Sequence, residues 1–329
     1  MPATAPAGSP VAGAAHELVL HIGDRTVHAV ITEMAAAVRQ LRIDDVDLIP
    51  GSEDCTTAPF SCGAVLVPWP NRVRDGRWHH DGRTHQLEIN DVVHGSALHG
   101  LLSDVVHQVL ARTASSITLG AQVSPSPGYP FLLRAQVCYR LVADGLVATH
   151  TVRNIGSEPA PVAVGAHPFL MIGDVPTETL TLTLNASHHI DVDDRLIPTG
   201  VTAVGGTGWD LRGGRRIADL ELDDAWSGPA PGGTHTLRAP DGRTVSLWAD
   251  ESFGFVHVFI TRAFPHGEQF VTAVALEPMT APANALNSGV GLRWLAPGES
   301  MSASWGVDYT EAGALRRGPG AGRVGPDSV

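Results

Sequence analysis

The sequence contains no lysine, so all 22 of its basic residues are arginine. Schiff-base enzymes, pyridoxal-phosphate enzymes and P-loop nucleotide hydrolases each need a lysine amine at a fixed position, and these classes are therefore excluded. The 34 acidic residues give a net charge of −12. No cluster of arginines is large enough to neutralise a run of phosphates, so we expect no nucleic-acid partner.

Cysteine and long apolar runs are also scarce. The three cysteines, Cys55, Cys62 and Cys138, are odd in number and lack metal-ligand spacing, which argues against a disulfide framework and a zinc knuckle. The first fifteen residues carry prolines where a signal peptide needs an unbroken apolar stretch, and no run of 18 apolar residues occurs. We expect a cytoplasmic protein that does not contact a membrane.

Several catalytic motifs are missing. The chain has no H-E-x-x-H pair, no G-x-G-x-x-G after a strand and no G-x-S-x-G elbow, which argues against zincins, dinucleotide-binding folds and α/β-hydrolases. The doublets His79-His80 and His188-His189 are poor metal sites, because adjacent residues of a strand point to opposite faces. We therefore expect no metal at these doublets and none of these three enzyme classes.

What is present is typical of an all-β protein. Glycine and proline make up roughly 18% of the chain, which favours many turns between short elements. Asp-Gly pairs, such as Asp81-Gly82 and Asp144-Gly145, fall where hairpins would reverse. Short runs with β-branched alternation predict strands. The runs are 18–22, 116–123, 134–141, 147–152, 180–184, 244–248 and 255–261.

One stretch favours a helix on propensity alone, residues 31–41, but its flanks alternate like strands and we expect no helix there. No linker and no repeat interrupts residues 16–312, which predicts one domain. Residues 1–15 and 313–329 are rich in Gly, Pro and Ala and lack periodic apolar positions, so we expect disordered tails there.

Four groups of polar residues stand in apolar or Gly/Pro-rich surroundings, where a titratable side chain normally needs a partner or a function. Asn71-Arg72 follows Val-Pro-Trp-Pro, His99 precedes a glycine, His167 precedes a proline, and Glu277 ends an apolar run. Taken singly, Asn71-Arg72 is more typical of a surface turn. His99 and His167, taken singly, are more typical of structural histidines. Glu277 needs either a function or an arginine partner.

A further acid lies in Leu222-Asp223-Asp224-Ala225-Trp226. Asp223 stands near Trp226, whose ring could stack on a ligand. The adjacent Asp224 leaves open which acid would face a pocket, and a solvated turn is the alternative for both.

Taken in order, eight segments resemble the aldose 1-epimerase (galactose mutarotase-like) family, especially its bacterial branch. The resemblance covers roughly residues 16–310. The segments are VPWPNRVRDGRW (67–78), ALHGL (97–101), GYPF (128–131), GAHPFL (165–170), RLIPTG (195–200), LDDAW (222–226), EPMTAPANALNSG (277–289) and LAPGES (295–300).

This resemblance implies a large antiparallel β-sandwich, the supersandwich, whose concave face holds a sugar. It implies an isomerase, a carbohydrate mutarotase, that interconverts α and β anomers of an aldose without metal or cofactor. By motif position, Glu277 resembles the general base and His167 the general acid. The sugar-binding positions correspond to Asn71, Arg72, His99 and Asp223. The chain departs from the usual pattern in Trp226, where phenylalanine or tyrosine is common, and we expect its ring to face the sugar.

The chemistry agrees with these residue types. Opening a cyclic hemiacetal removes a proton from the C1 hydroxyl and gives one to the ring oxygen, so a base and an acid must flank the anomeric carbon. Glutamate is ionised at neutral pH, whereas histidine is mostly neutral. We therefore expect a neighbouring carboxylate, Asp223 or Glu277, to raise the pKa of His167.

Two alternatives remain. One is a non-catalytic sugar-binding module on the same fold. The other is an epimerase for phosphorylated or sulfonated hexoses, for which Arg74 and Arg77 are candidate anion-binding residues. The sequence leaves the preferred aldose open, and either a monomer or a homodimer is compatible with it.

Overall fold

Alternating apolar patterns form antiparallel strands along the chain. The structure is a computed structural model that describes residues 13–51, 58–230 and 233–313. The strands in the first half are β1 (Ala15–Ile22), β2 (Arg25–Thr32), β3 (Val38–Ile43), β4 (Val46–Ile49), β5 (Val65–Leu66), β6 (Arg72–Arg74), β7 (Arg77–His80), β8 (Arg83–Gln86), β9 (Ser96–Leu98), β10 (Gln108–Arg112), β11 (Ser116–Val123), β12 (Leu133–Val142) and β13 (Gly145–Asn154). Those in the second half are β14 (Ala160–Val162), β15 (Gly165–Ala166), β16 (Phe169–Leu170), β17 (Thr181–Thr183), β18 (Ala186–Val192), β19 (Pro198–Ala203), β20 (Arg215–Arg216), β21 (Asp223–Pro229), β22 (Thr234–Arg238), β23 (Thr244–Ala249), β24 (Phe255–His266), β25 (Gln269–Met279), β26 (Arg293–Leu295) and β27 (Ser300–Thr310).

Helix is confined to short pieces in the described part of the chain. One helical turn, α1, covers Ala285–Ser288, and 3-10 turns cover Pro59–Ser61, Thr177–Thr179 and Ile217–Asp219. The all-β prediction with few short helices is confirmed. No helix among the described residues is both long and apolar enough to span a bilayer.

Two large sheets dominate the architecture. One has nine strands in the order β10-β11-β12-β13-β27-β23-β22-β17-β20, and the other has eight, in the order β19-β18-β21-β24-β25-β15-β5 with β16 beside β25. A four-stranded sheet, β1-β2-β3-β4, and three strand pairs complete the described fold. Side chains of both large sheets, such as Val137 and Leu146 from one and Val258 and Leu276 from the other, belong to one buried cluster.

This cluster runs from Leu18 to Tyr309, which supports a single domain over residues 16–312, although that boundary stays a prediction. Most of the two predicted tails, residues 1–12 and 314–329, lies outside the described residues. The first strand begins at Ala15, one residue inside the predicted N-terminal tail.

The expectation of no helix at residues 31–41 is confirmed. β2 and β3 are joined there by a tight turn in which Ala35 and Ala36 adopt left-handed backbone angles. The Tyr139 hydroxyl donates to the carbonyl of Ala36 at 2.7 Å, and the amide of Ala35 donates to Val105. These tertiary contacts override the helix propensity of the alanines.

Strand alternation sets the two faces of the eight-stranded sheet. Val258 on β24 and Leu276 on β25 point into the main core, whereas His257 and Glu277 point to the opposite, outer face. His257 and Glu277 are directly opposed in the register of the two strands. The candidate functional site is built on this outer face.

Candidate active site

Two turns that are hydrogen-bonded to each other position Asn71 and His99 in the site. Asn71 follows the Val-Pro-Trp-Pro segment and His99 follows β9, and both adopt left-handed backbone angles, with φ of 57° and 65°. The amide of His99 donates to the carbonyl of Asn71 at 3.0 Å, and the amide of Asn71 donates to Nδ1 of His99 at 3.3 Å. A Cβ on Gly100 would lie 2.3 Å from the Val67 carbonyl oxygen, so this crossing of the two turns requires glycine.

Arg72 is anchored by two carboxylates. Its Nε donates to Asp91 at 2.8 Å and its NH2 donates to Asp223 at 3.4 Å, while the side chain is only 9% exposed. The Asn71 amide oxygen accepts the backbone N–H of Arg72 at 2.8 Å. These contacts fix the guanidinium at the edge of the site. Asp91 is a residue that the sequence analysis missed.

His167 and Glu277 form the centre of the site. His167 lies between β15 and β16, and its Nε2 is 3.3 Å from Oε1 of Glu277. Both side chains are buried. Oε2 of Glu277 and Nδ1 of His167 have no hydrogen-bond partner among the described residues. The ring of His99 meets that of His167 edge-on, with ring centres 5.2 Å apart.

Burial is the largest influence on the pKa values of His167 and His99. Burial lowers the pKa of His167 by more than the adjacent Glu277 raises it. Burial, together with the positive electrostatic influence of His167 and Arg72, lowers the pKa of His99 well below its usual value. Glu277 and Asp223 both raise the pKa of His167, as expected, but desolvation of the buried imidazole outweighs them. The expectation that a carboxylate keeps His167 protonated is therefore wrong.

Asp223 lies in this group and Asp224 does not. Asp223 begins β21 on the outer face, where Oδ1 accepts from Nε2 of His257 at 2.8 Å. Burial alone would raise the pKa of Asp223, but His257 and Arg72 outweigh it and hold that pKa well below its usual range. Asp224 points to the other face and contacts His189 at 3.0 Å. The structure therefore favours Asp223 as the pocket acid.

The expectation that the ring of Trp226 faces the sugar is wrong. Trp226 is fully buried, and its indole N–H donates to the carbonyl of Trp209 at 3.1 Å. It stands three residues after Asp223, and an odd spacing along a strand puts two side chains on opposite faces. Trp226 belongs to the main core rather than to the site.

A second group lies on that core-facing side, with His189 buried and the other three residues half-buried. We name it the His189 clamp, and its members are His189, Asp191, Asp224 and Trp209. Nδ1 of His189 contacts Asp191 at 3.1 Å and Nε2 contacts Asp224 at 3.0 Å. The imidazole stacks on Trp209 with ring centres 3.8 Å apart. Burial disfavours the charged ring, but the two carboxylates outweigh it and raise the pKa of His189.

His257 is the site residue that sequence reasoning missed. It is buried between Asp223 and Glu277, with Nε2 4.0 Å from Oε1 of Glu277. Burial disfavours its charged form, yet Glu277 and Asp223 outweigh burial and raise the pKa of His257. Its signal was in the sequence, because a histidine within Phe-Val-His-Val-Phe is as conspicuous as a glutamate that ends an apolar run.

The site also offers metal-ligand atoms. One atom each from His99, His167 and Glu277 lie within 4.8 Å of one another, close enough to share an ion. The same atoms are those that proton transfer would use, and the expected absence of a metal stays a prediction. A cavity of about 1000 Å³ is lined by residues that include Phe255 and Pro278, and none of the site residues named above lines it.

Comparisons with known proteins match one family over most of the chain. The family described as "Aldose 1-epimerase" matches residues 18–307. The uncharacterized protein YihR of Escherichia coli K12 is 32% identical over 275 residues, which cover 83% of this chain and 87% of YihR. Human galactose mutarotase is 30% identical over 173 residues, about half of each chain (49%).

The fold is shared with a solved structure, the GalM/aldose epimerase homologue from Caenorhabditis elegans. It superposes with a TM-score of 0.78 at 19% identity, covering 91% of this chain and all of the other. The predicted galactose mutarotase-like β-sandwich is therefore confirmed as the fold.

Proposed function

Because the chain belongs to the aldose 1-epimerase family, we propose that it interconverts the α and β anomers of an aldose by opening and closing the sugar ring. One observation carries the proposal above all others. A buried carboxylate, Glu277, and a buried imidazole, His167, lie 3.3 Å apart on the same face as Asn71, Arg72 and Asp223. These are the two kinds of proton-transfer group that ring opening requires.

Glu277 is the proposed base. Oε2 has no hydrogen-bond partner among the described residues, so it is available to a substrate hydroxyl. It takes the proton of the C1 hydroxyl while His167 gives a proton to the ring oxygen. The ring opens to the aldehyde, rotation about C1–C2 presents the other carbonyl face, and the reversed transfers close the opposite anomer. The reaction leaves the proton count of the site unchanged.

The remaining outer-face residues are proposed to hold the sugar. Arg72, which two carboxylates hold in place, and Asn71 can bind ring hydroxyls. His99, kept neutral by burial, can donate or accept one hydrogen bond near the ring oxygen. Asp223 can accept from a hydroxyl with the lone pairs that His257 and Arg72 leave free.

An anionic hexose is the alternative substrate, and the two arginines suggested for it already have partners. Arg74 is paired with Asp193, and Nε of Arg77 donates to the side-chain oxygen of Gln86 at 2.8 Å. A neutral aldose therefore remains the first choice. The assembly state, monomer or homodimer, is likewise a prediction.

Polarimetry tests this proposal. Fresh α-anomers of neutral, 6-phosphorylated and 6-sulfonated sugars are compared in buffer that contains a chelator. The purified protein should speed the approach to equilibrium of a neutral aldose, and acceleration of the anionic sugars alone would favour the alternative substrate. Glu277→Gln keeps the shape of the side chain and removes the base, and His167→Asn removes the acid. Each should lower kcat by about 10² to 10⁴, the typical contribution of a positioned proton-transfer group.

Several results would refute parts of this scheme. An undiminished rate in Glu277→Gln contradicts the assignment of the base, and full activity in His167→Asn moves the acid to His99. Loss of the wild-type rate in chelator contradicts a metal-free reaction. Saturable sugar binding by calorimetry, with no rate effect on any anomer, would favour the non-catalytic sugar-binding alternative.

A further inference from the structure

His257 lies between two of the residues that are proposed to hold the sugar, and the proposed reaction gives it no role. It projects from β24 onto the outer face and is buried. Its Nε2 lies 2.8 Å from Oδ1 of Asp223, and its Nδ1 lies 3.5 Å from Nδ2 of Asn71. Each ring nitrogen therefore faces a different proposed sugar-binding residue.

The direction of each hydrogen bond follows from which atoms can donate. The backbone N–H of Arg72 donates to Oδ1 of Asn71 at 2.8 Å, so the end of the Asn71 side chain that faces His257 is its NH2 group. An amide NH2 only donates, so Nδ1 of His257 accepts. An ionised carboxylate such as Asp223 only accepts, so Nε2 of His257 donates. These directions select the neutral ring with its proton on Nε2.

A cationic His257 fits this geometry poorly. Glu277 and Asp223 raise the pKa of His257 and so favour a second proton on the ring. That proton would occupy Nδ1, where it would point at the N–H of Asn71. Oε1 of Glu277 is 4.0 Å from Nε2 of His257, beyond hydrogen-bonding distance. The hydrogen-bond directions therefore favour the neutral form.

Arg72 closes these contacts into a complete cycle, which we name the closed network: Asn71, Arg72, Asp223 and His257. Arg72 donates to Asn71, Asn71 to His257 and His257 to Asp223, while NH2 of Arg72 donates to Oδ2 of Asp223 at 3.4 Å. Oδ1 of Asn71 is occupied by Arg72, so Asn71 can offer a ligand only its remaining N–H. The Asp223 side chain is 31% exposed and offers its free lone pairs.

We propose that His257 is a positioning residue for sugar binding, which holds Asn71 as a hydrogen-bond donor and Asp223 as an acceptor toward the hydroxyls of an aldose. It rests on the proposed function, which assigns the sugar to this face. A hydroxyl both donates and accepts, so the hydroxyls of a neutral sugar match both residues. Without the imidazole, Asn71 is free to turn its amide, and Asp223 keeps one longer side-chain hydrogen bond, to Arg72, within the described part of the chain. The sugar must then order both side chains on binding, which weakens its affinity.

Three substitutions separate the two hydrogen bonds of His257. Asn carries its amide at the δ position and can still accept from Asn71, Gln carries it at the ε position and can still donate to Asp223, and Phe keeps a flat ring with neither function. Calorimetry with equilibrated glucose and galactose should give a Kd about fivefold higher in His257→Asn and His257→Gln, and at least about tenfold higher in His257→Phe. The kcat at saturating sugar should change by less than about threefold, because binding and not proton transfer is affected. A Kd within about twofold of wild type in all three variants overturns the proposal.

A second background and a matched control make the test specific. In Asn71→Ala the acceptor on residue 257 has no partner, so adding His257→Asn or His257→Phe should give the same Kd. A persistent advantage of the His257→Asn variant there overturns the proposal. The control is His189→Gln in the His189 clamp, which changes another buried histidine held by carboxylates on the opposite face of the same sheet. Its Kd should equal that of the wild type, and a loss as large as that of His257→Gln would show a general structural effect and overturn the proposal.

Nitrogen NMR of the His257 imidazole in the wild-type protein gives a readout independent of activity. At pH 9 the ring should be neutral with its proton on Nε2, and a proton on Nδ1 or a cationic ring at that pH overturns the proposal. The expected tautomer, with weakened sugar binding in the variants but no acceleration of any anomer by the wild type, would instead refute the mutarotase function and leave the positioning role standing.

Discussion

Replacing His189 by phenylalanine should destabilise the protein at acid pH far more than at alkaline pH. Both ring nitrogens of His189 face carboxylate oxygens, at 3.1 and 3.0 Å, so both must donate and the ring is cationic. Phenylalanine keeps a flat ring for the stack on Trp209 and removes both donors. The substitution therefore isolates the two charged hydrogen bonds of the clamp.

The size of the effect follows from the exposure of the two carboxylates. Asp224 is 14% exposed, and its hydrogen bond to a charged ring should contribute about 1.5 to 3 kcal/mol. Asp191 is 38% exposed, so solvent screening reduces its pairing to about 0 to 1 kcal/mol. We expect a total loss of about 1.5 to 4 kcal/mol in the free energy of unfolding, or roughly 2 to 6 °C in Tm.

The pH dependence follows from the raised pKa of His189. The clamp is fully stabilising below the unfolded-state pKa of about 6.5, and the stabilisation is lost as pH rises through the folded-state pKa. The neutral ring at pH 9 carries one proton and can donate to only one carboxylate, so the gap between wild type and variant should shrink to about 1 kcal/mol.

Thermal or urea unfolding of both proteins at pH 5.5 and pH 9 measures this gap, and the subtraction removes the pH dependence that the two proteins share. A gap of equal size at both pH values would refute the cationic clamp. Mutarotation by the variant should equal that of the wild type, because His189 lies on the core-facing side of the sheet.

Two further predictions follow from the geometry of the site. Asp224→Asn should keep the mutarotation rate within about twofold, since Asp224 points away from the site, and a loss as large as that of Glu277→Gln would contradict the choice of Asp223. Gly100→Ala should lower the unfolding free energy by more than about 2 kcal/mol, because its Cβ would meet the Val67 carbonyl at 2.3 Å; Gly206→Ala, with the same φ of 78° and nothing within 4 Å, is the control and should cost about 1 kcal/mol.

Many strands and turns of the fold could be predicted from local sequence patterns. The run 116–123 was predicted as a strand and β11 covers Ser116–Val123, because alternation in one hairpin of a large sheet is a local signal. The Asp81-Gly82 pair joins β7 and β8, with both residues at positive φ. The order of the strands in the two sheets had no such signal, since it depends on contacts between residues far apart in the chain.

The site was predicted where a polar residue stood out from its neighbours, as Glu277 and His167 did. The errors have physical causes. The spacing of Trp226 from Asp223 was odd and could have been read as opposite faces. The lowered pKa of His167 could not be predicted, because burial of the ring depends on how β15, β16 and β25 pack in three dimensions. His257 was missed although it carried the same signal as Glu277.

In the hairpin of β24 and β25, the paired residues His257 and Glu277 lie far from the turn that joins the two strands. His257 and Glu277 face each other near one end, while the two strands remain paired to His266 and Gln269 at the other. Nine residues of extended strand separate the two ends, which is about 30 Å. A Cβ added at Gly267, at the tip, would meet nothing within 4 Å. A fluorophore or short peptide introduced at this tip would therefore report on the protein, or tether it to a surface, without disturbing His257 and Glu277.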